Sequence, residues 1–310
     1  MNKIISYDEI KRLDLFSLTQ KALNVKLKNR GLKIGLCTIS NAKCGGCSED
    51  CAFCAQSSVS KAKIKTFNLK TADMLLKEAE EAKKSGAQRF SIVISGRGPN
   101  DHLIEKIAEI ISKIKNNINI KLCASLGIMD EKGLAILKEA GLKRYHHNIE
   151  SSEEFFPKIC TTHSFIERIQ TIVAAKKVGL EVCAGGIIGL GEDEYQRFLM
   201  AKTLNELQVD SCPINILVPI KDTPLEKNKI LSIEEILRAV AIFRLLLPKS
   251  AIRIAGGREK ILGDFQVLPF LSGADAMLIG GYLTTRGRSP QMDLDMSDKI
   301  KELWKSALPH

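Results

Sequence analysis

Three cysteines in one short loop carry the strongest chemical signal in the sequence. Cys47, Cys51 and Cys54 form a C-x3-C-x2-C arrangement in a segment that also contains glycine. Three thiolates at this spacing suit three irons of a four-iron cubane and leave the fourth iron without a protein ligand. The spacing therefore predicts a catalytic 4Fe-4S cluster with one open coordination position.

A zinc knuckle or a structural cluster is the alternative for this loop. Both need a fourth Cys or His nearby, and none follows Cys54 at a matching spacing, although Cys44 precedes the motif. Five of the nine cysteines lie between Cys37 and Cys54. In a chain of 310 residues without a signal-peptide pattern, this crowding favours metal binding by reduced thiolates over disulfides.

The cysteine loop follows the first of eight short apolar segments, which alternate with longer segments of helical period. The predicted strands are 33–40, 89–95, 120–126, 144–149, 181–188, 214–218, 252–255 and 276–279, and helices between them include 71–85, 130–140, 165–178 and 233–247. This order predicts an α/β fold, a (β/α)8 TIM-type barrel, with a doubly wound open sheet as the alternative. We expect a single barrel domain over residues 1–310, with a helical N-terminal extension (1–30) and a peripheral C-terminal tail (288–310).

Composition limits the remaining classes of function. The sequence is 45% hydrophobic but has no run of about eighteen apolar residues, so we expect no membrane partner and a cytoplasmic location. The formal charge of +10 comes from Lys and Arg spread over helical segments together with Glu, and only 5% of residues are aromatic. This pattern favours a solvated basic surface over a nucleic-acid site, and such a surface can steer an acidic electron donor.

The cysteine loop, with Phe53 before its last cysteine and a first barrel strand before it, resembles the signature of the radical S-adenosylmethionine superfamily. The resemblance implies that the amine and carboxylate of S-adenosylmethionine chelate the 4Fe-4S cluster, with Phe53 beside the adenine. Residues 185–192 read GGIIGLGE and are similar to the superfamily's G-x-I-x-G-x-x-E element on the fifth strand. That similarity implies a cofactor contact at Ile187.

Further segments resemble the biotin synthase family, in that family's order along the chain. They are NAK at 41–43, SGRGP at 95–99, YHHNIE at 145–150, TTH at 161–163, PIN at 213–215, IRIAGGRE at 252–259 and YLTT at 282–285. The resemblance implies conversion of dethiobiotin to biotin, in which a 5′-deoxyadenosyl radical removes hydrogen from two unactivated carbons and sulfur bridges them. It also implies a ferredoxin or flavodoxin electron donor, iron-sulfur assembly proteins as partners, and a homodimer.

The same resemblance assigns binding roles to individual residues. Asn148 is expected to touch cofactor and substrate, Glu150 the cofactor ribose, Arg168 the cofactor, Asn215 the ureido ring of the substrate, and Thr284 and Thr285 the substrate. A radical of this kind needs a closed, dry site with the target carbon in contact. The alternative is that the asparagines are turn residues and that Glu150 and Arg168 are surface charges.

A second cluster serves as sulfur source in the familiar members of this family, a 2Fe-2S centre held by three cysteines and one arginine. The matching positions here hold Cys123, Cys183 and the catalytic Arg253, but Ser91 stands at the fourth. Serine is a poor substitute for a soft thiolate at an iron-sulfur site. The usual auxiliary cluster therefore lacks one ligand in this chain.

Cys37 offers a replacement thiol. It alternates with Gly35 and Ile39 on one face of the first strand, and inward side chains of strands one, three, five and seven form one layer of a barrel. Our hypothesis is an altered auxiliary cluster, a four-iron centre with an extra sulfide, ligated by Cys37, Cys123 and Cys183 beside Arg253, with Cys44 as the candidate fourth ligand.

Packing is the alternative for these thiols, because free cysteine often serves as a small buried hydrophobe. We assign Cys160 and Cys212 to that class, and His146 and His147 to packing or surface positions. Two other functions remain open. One is a related barrel enzyme of the hydrogenase maturase or methylornithine synthase type, and the other is a non-catalytic iron-sulfur or zinc protein that binds nucleic acid.

Overall fold

The structure is a computed structural model that describes residues 5–281 and 287–307. Within these ranges, nine parallel strands surround a central axis. They are β1 (Gly35–Lys43), β2 (Arg89–Ile94), β3 (Lys121–Ser125), β4 (Arg144–His146), β5 (Glu181–Cys183), β6 (Gly186–Ile188), β7 (Ser211–Ile216), β8 (Ala251–Ile254) and β9 (Ala276–Leu278). Because β4 pairs with β5, β5 with β7 and β1 with β9, the sheet closes. The predicted (β/α)8 barrel is confirmed, with β5 and β6 as two halves of its fifth strand.

The break in the fifth strand explains why the sixth strand of the barrel begins earlier than predicted. We expected the sixth strand to begin at residue 214, but β7 begins at Ser211 and includes Pro213. The ladder runs from Cys183 to Ser211 and resumes only between Gly186 and Ile214, so Pro213 lies opposite the break. A proline without an N–H group is tolerated there because no hydrogen bond of the ladder is lost.

Helices cover the outside of the barrel and the chain termini. They are α1 (Tyr7–Lys11), α2 (Leu15–Arg30), α3 (Ala72–Lys84), α4 (Asp101–Asn117), α5 (Glu131–Ala140), α6 (Phe165–Lys177), α7 (Glu194–Glu206), α8 (Ile233–Leu246), α9 (Arg258–Leu262), α10 (Leu268–Leu271) and α11 (Pro290–Ser306). The barrel helices α3 to α8 each begin at a Ser, Thr, Asp or Asn whose side chain accepts a backbone N–H of the first turn. Such caps satisfy donors that a helix start leaves unpaired, so the sequence itself specifies these boundaries.

The helices at the two termini dock onto the barrel. Arg30 at the end of α2 donates to Asp275 Oδ2 at 2.6 Å, while Asp275 Oδ1 accepts Arg244 Nη2 and the Ile252 backbone N–H, each at 2.8 Å. This buried network holds α2 and α8 against the seam between β8 and β9. In α11, Trp304 is fully buried and donates its indole N–H to the Phe270 carbonyl. None of the helices in the described ranges has the length and apolar character to cross a membrane.

Candidate active site

The cysteine loop lies just beyond β1 and faces a cavity of about 190 Å³. Cys47, Cys51 and Cys54 all line this cavity, together with Phe53. Cys51 is buried and the other two thiols are half-buried, and no further cysteine of the described ranges lines this space. Three convergent thiols without a fourth fit a four-iron cluster that keeps one iron free of protein ligands.

The residues between the cysteines fasten the loop to the segment before α6. The Asp50 carboxylate accepts the backbone N–H groups of Thr161 at 2.9 Å and Thr162 at 3.3 Å, and it also accepts the Thr161 hydroxyl. These bonds outweigh the desolvation that would raise the pKa of Asp50 and hold that pKa well below its usual range. The Ala52 N–H donates to the Ile159 carbonyl at 2.8 Å. The cluster loop is therefore fixed before any cofactor binds.

A second thiol touches the cluster loop from behind. Cys160, which the sequence analysis assigned to packing, has its Sγ 3.7 Å from Cys51 Sγ and 3.3 Å from His163 Nδ1. His163 Nδ1 lies 2.5 Å from the buried Glu49 carboxylate. The hydrogen bond with Cys51 raises the pKa of Cys51 and lowers that of Cys160. Sequence reasoning missed Glu49 and His163, although His163 ends the matched TTH segment.

The predicted cofactor residues meet at the ends of β4 and α6. Asn148 donates to Glu150 Oε2 at 3.2 Å, while Arg168 donates to the Asn148 carbonyl at 2.8 Å and lies 3.8 Å from Glu150 Oε1. Burial raises the pKa of Glu150, and the neighbouring Arg168 opposes that rise. Glu150 has a φ of +65°, a strained value for a non-glycine residue that is typical of functional sites. The surface-charge alternative is wrong for both, since neither side chain is exposed.

A second cavity of about 310 Å³ fills the barrel interior. The cavity is lined by Cys37, Cys123, Cys183 and Arg253, as their predicted inward layer implied. Ser91 also lines it, beside Cys123, its partner in the β2–β3 ladder. The two cavities have four lining residues in common, Ser125, His146, Asn148 and Glu150. The cavity of the cluster loop and the cavity of the barrel thiols are therefore neighbours inside the barrel, separated by these four residues.

Arg253 is the charged centre of this second cavity. Its Nη1 donates to Cys183 Sγ at 3.4 Å and to Ser211 Oγ at 3.1 Å, while its buried Nε has no hydrogen-bond partner among the described residues. Burial lowers the pKa of Arg253, but the facing thiols Cys37, Cys183 and Cys123 raise it on balance. An orphaned guanidinium donor among three thiols fits an anionic iron-sulfur group that accepts hydrogen bonds.

His146 also faces this cavity, contrary to our assignment of it to packing or the surface. Burial alone would raise the pKa of Cys183, but His146 and Arg253 lower it to about 5. Burial raises the pKa of Cys123 to about 12, although Arg144 and Arg89 oppose that rise. The alternation of Arg144 and His146 on β4, continued by Asn148 just after the strand, was the available signal, because all three line this cavity.

Three charges close the amino-terminal end of the barrel. Arg89 Nη2 lies 2.7 Å and Arg144 Nη2 2.6 Å from Glu181 Oε2. Both arginines line the second cavity. They add positive potential around the thiols and separate them from the solvent beyond Glu181.

The remaining substrate and cofactor predictions have mixed outcomes. Asn215 lines the second cavity, where its Oδ1 accepts the Gly256 N–H at 2.9 Å and its Nδ2 donates to the Gly186 carbonyl at 3.3 Å. Ile187 lines the same space, and its N–H donates to the Glu150 carbonyl. The predicted substrate contacts Thr284 and Thr285 lie outside the described residues.

Cys44 is not brought together with the barrel thiols. It is buried, but it lines neither cavity, because its backbone pairs with Phe67 through two hydrogen bonds of 3.1 Å in an antiparallel bridge. The structure therefore contradicts the prediction of Cys44 as a ligand of the auxiliary cluster. Cys212 is fully buried away from both cavities, as packing requires.

The glycine-rich element after β5 shapes the joint between the cavities. A Cβ on Gly185 would lie 1.9 Å from the Pro213 carbonyl oxygen, so only glycine allows this approach. Glu192 accepts the Gly189 N–H at 2.8 Å and pairs with buried Arg197 at 2.6 Å. The glutamate of the G-x-I-x-G-x-x-E element therefore stabilises the turn itself.

Comparison with known proteins agrees with this geometry. Residues 43–203 match the Radical SAM superfamily, and residues 213–301 match the Biotin and Thiamin Synthesis associated domain. The chain is 48% identical to the biotin synthase of Heliobacterium modesticaldum over 91% of this chain and 87% of that protein. It is 46% identical to the biotin synthase of Thermotoga petrophila over 96% of this chain and 100% of that protein.

Solved structures support the fold at low sequence identity. Methylornithine synthase superposes with a TM-score of 0.83 at 18% identity, covering 99% of this chain and 98% of that one. The FeFe-hydrogenase maturase of Carboxydothermus hydrogenoformans gives 0.79 at 19% identity over 94% and 73%. Both likenesses concern the barrel alone, whereas the sequence identities above are specific, and the chain belongs to the biotin synthase family of the Radical SAM superfamily.

Proposed function

We propose that the chain is a biotin synthase, a sulfurtransferase that converts dethiobiotin to biotin with S-adenosylmethionine and a sulfur-donating auxiliary cluster. The observation that carries this proposal is the pair of adjoining cavities inside the barrel. It has the three-cysteine loop at one end, and Cys37, Cys123, Cys183 and Arg253 at the other. A substrate between them can reach a source of radicals and a source of sulfur without leaving the barrel.

The first end binds the cofactors. Cys47, Cys51 and Cys54 hold the 4Fe-4S cluster, while Phe53, Glu150 and Arg168 bind S-adenosylmethionine beside it. When bound, the cluster and S-adenosylmethionine supply the 5′-deoxyadenosyl radical that removes hydrogen from unactivated carbons. The carboxylate of Glu150 suits the hydroxyl groups of a ribose, because an ionised carboxylate accepts several hydrogen bonds.

The shared wall between the cavities binds the substrate. Asn148 and Asn215 carry amides that complement the N–H and C=O groups of a ureido ring, and Asn215 retains one N–H and one lone pair beyond its bonds to the barrel. Apolar side chains of Ile39, Val93 and Leu278 complete this space. They exclude water and so protect a reactive alkyl radical from side reactions.

The second end holds the sulfur source. We place the auxiliary cluster on Cys37, Cys123 and Cys183, with Arg253 donating to it and Ser91 filling the wall where the familiar 2Fe-2S ligand is absent. Arg89, Arg144 and His146 add positive charge around these three thiols, which favours an anionic cluster. A four-iron cluster with an extra sulfide fits three thiol ligands and positively charged surroundings. It gives up one sulfur without being dismantled.

Partners and location follow from this chemistry. A low-potential ferredoxin or flavodoxin delivers electrons, and exposed Lys61, Lys63 and Lys65, which follow the cluster loop, give an acidic donor a basic docking surface. Iron-sulfur assembly proteins load both sites, the enzyme acts as a homodimer, and it works in the cytoplasm.

The direct test is anaerobic incubation of the reconstituted, reduced enzyme with S-adenosylmethionine and dethiobiotin. We expect biotin and 5′-deoxyadenosine together, measured by mass spectrometry. Formation of 5′-deoxyadenosine without biotin would instead indicate a different radical reaction on the same barrel.

Ligand assignment at the second end needs a separate measurement. Iron and sulfide per chain should fall in Cys37→Ala but stay at the wild-type level in Cys212→Ala, a matched control because Cys212 is buried outside both cavities. Unchanged counts in Cys37→Ala would remove Cys37 from the ligand set.

A further inference from the structure

Cys160 is a buried thiol to which the proposed reaction gives no role, yet it touches a cluster ligand. Its Sγ lies 3.7 Å from Cys51 Sγ, although the two residues are 109 positions apart in the sequence. Cys51 lines the cavity of the cluster loop, whereas Cys160 does not. Cys160 therefore stands directly behind Cys51, on the side away from the cofactor space.

Polar side chains surround the sulfur of Cys160. Arg168 Nε donates to His163 Nε2 at 3.1 Å, so the ring proton of a neutral His163 sits on Nδ1. That nitrogen faces both the Glu49 carboxylate at 2.5 Å and Cys160 Sγ at 3.3 Å. The Thr162 hydroxyl lies 3.7 Å from the same sulfur. These contacts hold the Cys160 side chain in place beside Cys51.

The backbone holds the two cysteines in place. The Ala52 N–H binds the Ile159 carbonyl, and Asp50 binds the N–H groups of Thr161 and Thr162. These bonds join the neighbours of Cys51 to the neighbours of Cys160. A disulfide needs an S–S distance of about 2.05 Å, so the two sulfurs must approach each other from 3.7 Å while the two segments stay joined.

We propose that Cys160 is a resolving thiol that captures Cys51 as a disulfide when the cluster has been lost to oxidation. Hydrogen peroxide entering the vacated cavity oxidises the Cys51 thiol to a sulfenic acid and is itself reduced to water. The Cys160 thiol attacks the Cys51 sulfur, the S–S bond forms as the S–O bond breaks, and the hydroxide that leaves takes up the thiol proton as water. A dithiol reductant later returns two electrons and two protons and restores both thiols.

Capture by Cys160 preserves the site for reloading. Without a resolving thiol, a sulfenic acid proceeds to sulfinic acid, which ordinary thiols do not reduce. The disulfide stops the oxidation at a reversible stage. This inference rests on ligation of the cluster by Cys51 and is independent of the substrate, so a failure to make biotin would leave it standing.

The test starts from the reconstituted full-length enzyme. Hydrogen peroxide is added until the cluster absorbance is lost, free thiols are blocked, and peptides are mapped by mass spectrometry. We expect a Cys51–Cys160 linked peptide as the main disulfide of wild type. A main disulfide within the loop, linking Cys47, Cys51 or Cys54 to one another, would overturn the proposal without any variant being needed.

A recovery experiment adds the functional consequence. After peroxide, a dithiol reductant and fresh iron and sulfide are supplied, and the regained cluster absorbance is compared with the starting value. Cys160→Ser should carry sulfinic acid at Cys51 and regain several-fold less cluster than wild type, while Cys212→Ser should recover as wild type does. Equal recovery in Cys160→Ser and wild type would refute the role of Cys160.

Discussion

Arg253 lies buried in the barrel with three thiols around it, and its replacement by methionine has opposite predicted effects on stability and on cluster binding. Its Nε has no partner among the described residues, and none of their carboxylates forms an ion pair with it. A buried unsatisfied donor costs about 1–3 kcal/mol, and a buried charge without an opposite charge paired to it carries a desolvation cost as well. We therefore predict that Arg253→Met stabilises the cluster-free protein by about 1–3 kcal/mol.

The expected change in melting temperature follows from chain length. Unfolding entropy of about 2.1 cal/mol/K per residue gives roughly 0.65 kcal/mol/K for 310 residues. Each kcal/mol then corresponds to about 1.5 °C, so Tm should rise by roughly 2–5 °C. Scanning calorimetry of cluster-free protein measures this shift. Arg253→Lys is the matched control, because it keeps a buried charge and should bring no such gain.

Cluster binding should change in the other direction. Iron and sulfide per chain after anaerobic reconstitution should fall in Arg253→Met, because the guanidinium that faces Cys37, Cys123 and Cys183 is gone. A lower Tm together with unchanged iron and sulfide would refute the reasoning. That result would mean that the bonds of Arg253 to Cys183 and Ser211 are structural and that no anionic group belongs beside it.

Three further predictions concern other parts of the molecule. Ser91→Cys places a thiol beside Cys123 and restores the ligand position of the familiar 2Fe-2S cluster. We therefore expect an altered Mössbauer spectrum and fewer irons per chain; an unchanged spectrum would count against the proposed ligand set. Arg168→Lys loses its directed bonds, and the Kd for S-adenosylmethionine in equilibrium dialysis should rise at least about tenfold, since bonds to charged groups are each worth about 1.5–3 kcal/mol; an unchanged Kd would contradict its cofactor role. Burial lowers the pKa of Lys26 to about 7, against about 10.4 in the unfolded chain. Between these two pH values the unfolded chain binds more protons than the folded chain, so the free energy of unfolding rises from about pH 7 to about pH 10. Lys26→Met removes this rise, and its Tm advantage over wild type should be larger at pH 7 than at pH 10; an equal advantage at both would be contrary to expectation.

The barrel and the position of its inward residues were predictable from sequence because both depend on local periodicity. A two-residue repeat fixes which side chains of a strand face inward, and the layer rule of the barrel then groups Cys37, Cys123, Cys183 and Arg253. The same repeat applied to β4 would have placed His146 beside Cys183. His146 was missed because it was assigned together with His147, although adjacent residues of a strand point to opposite faces.

Contacts between loops were not predictable in this way. Cys44 lies one residue beyond β1, past a register shift between Asn41 and Lys43, and its backbone pairs with Phe67 instead of a barrel strand. Cys160 meets Cys51 only because Asp50 and the Ala52 amide join two segments distant in the sequence. No periodicity encodes such a contact, since it depends on side-chain hydrogen bonds formed after the barrel closes.

Transfer of labelled sulfur from the enzyme to the product tests the central claim most directly. The enzyme is reconstituted with ³⁴S-sulfide, desalted, reduced, and given S-adenosylmethionine and dethiobiotin in unlabelled buffer for a single turnover. We predict biotin carrying ³⁴S, with the label lost in Cys37→Ala and retained in Cys212→Ala. Release of 5′-deoxyadenosine without labelled biotin from the wild-type enzyme would contradict a sulfur source held inside this barrel.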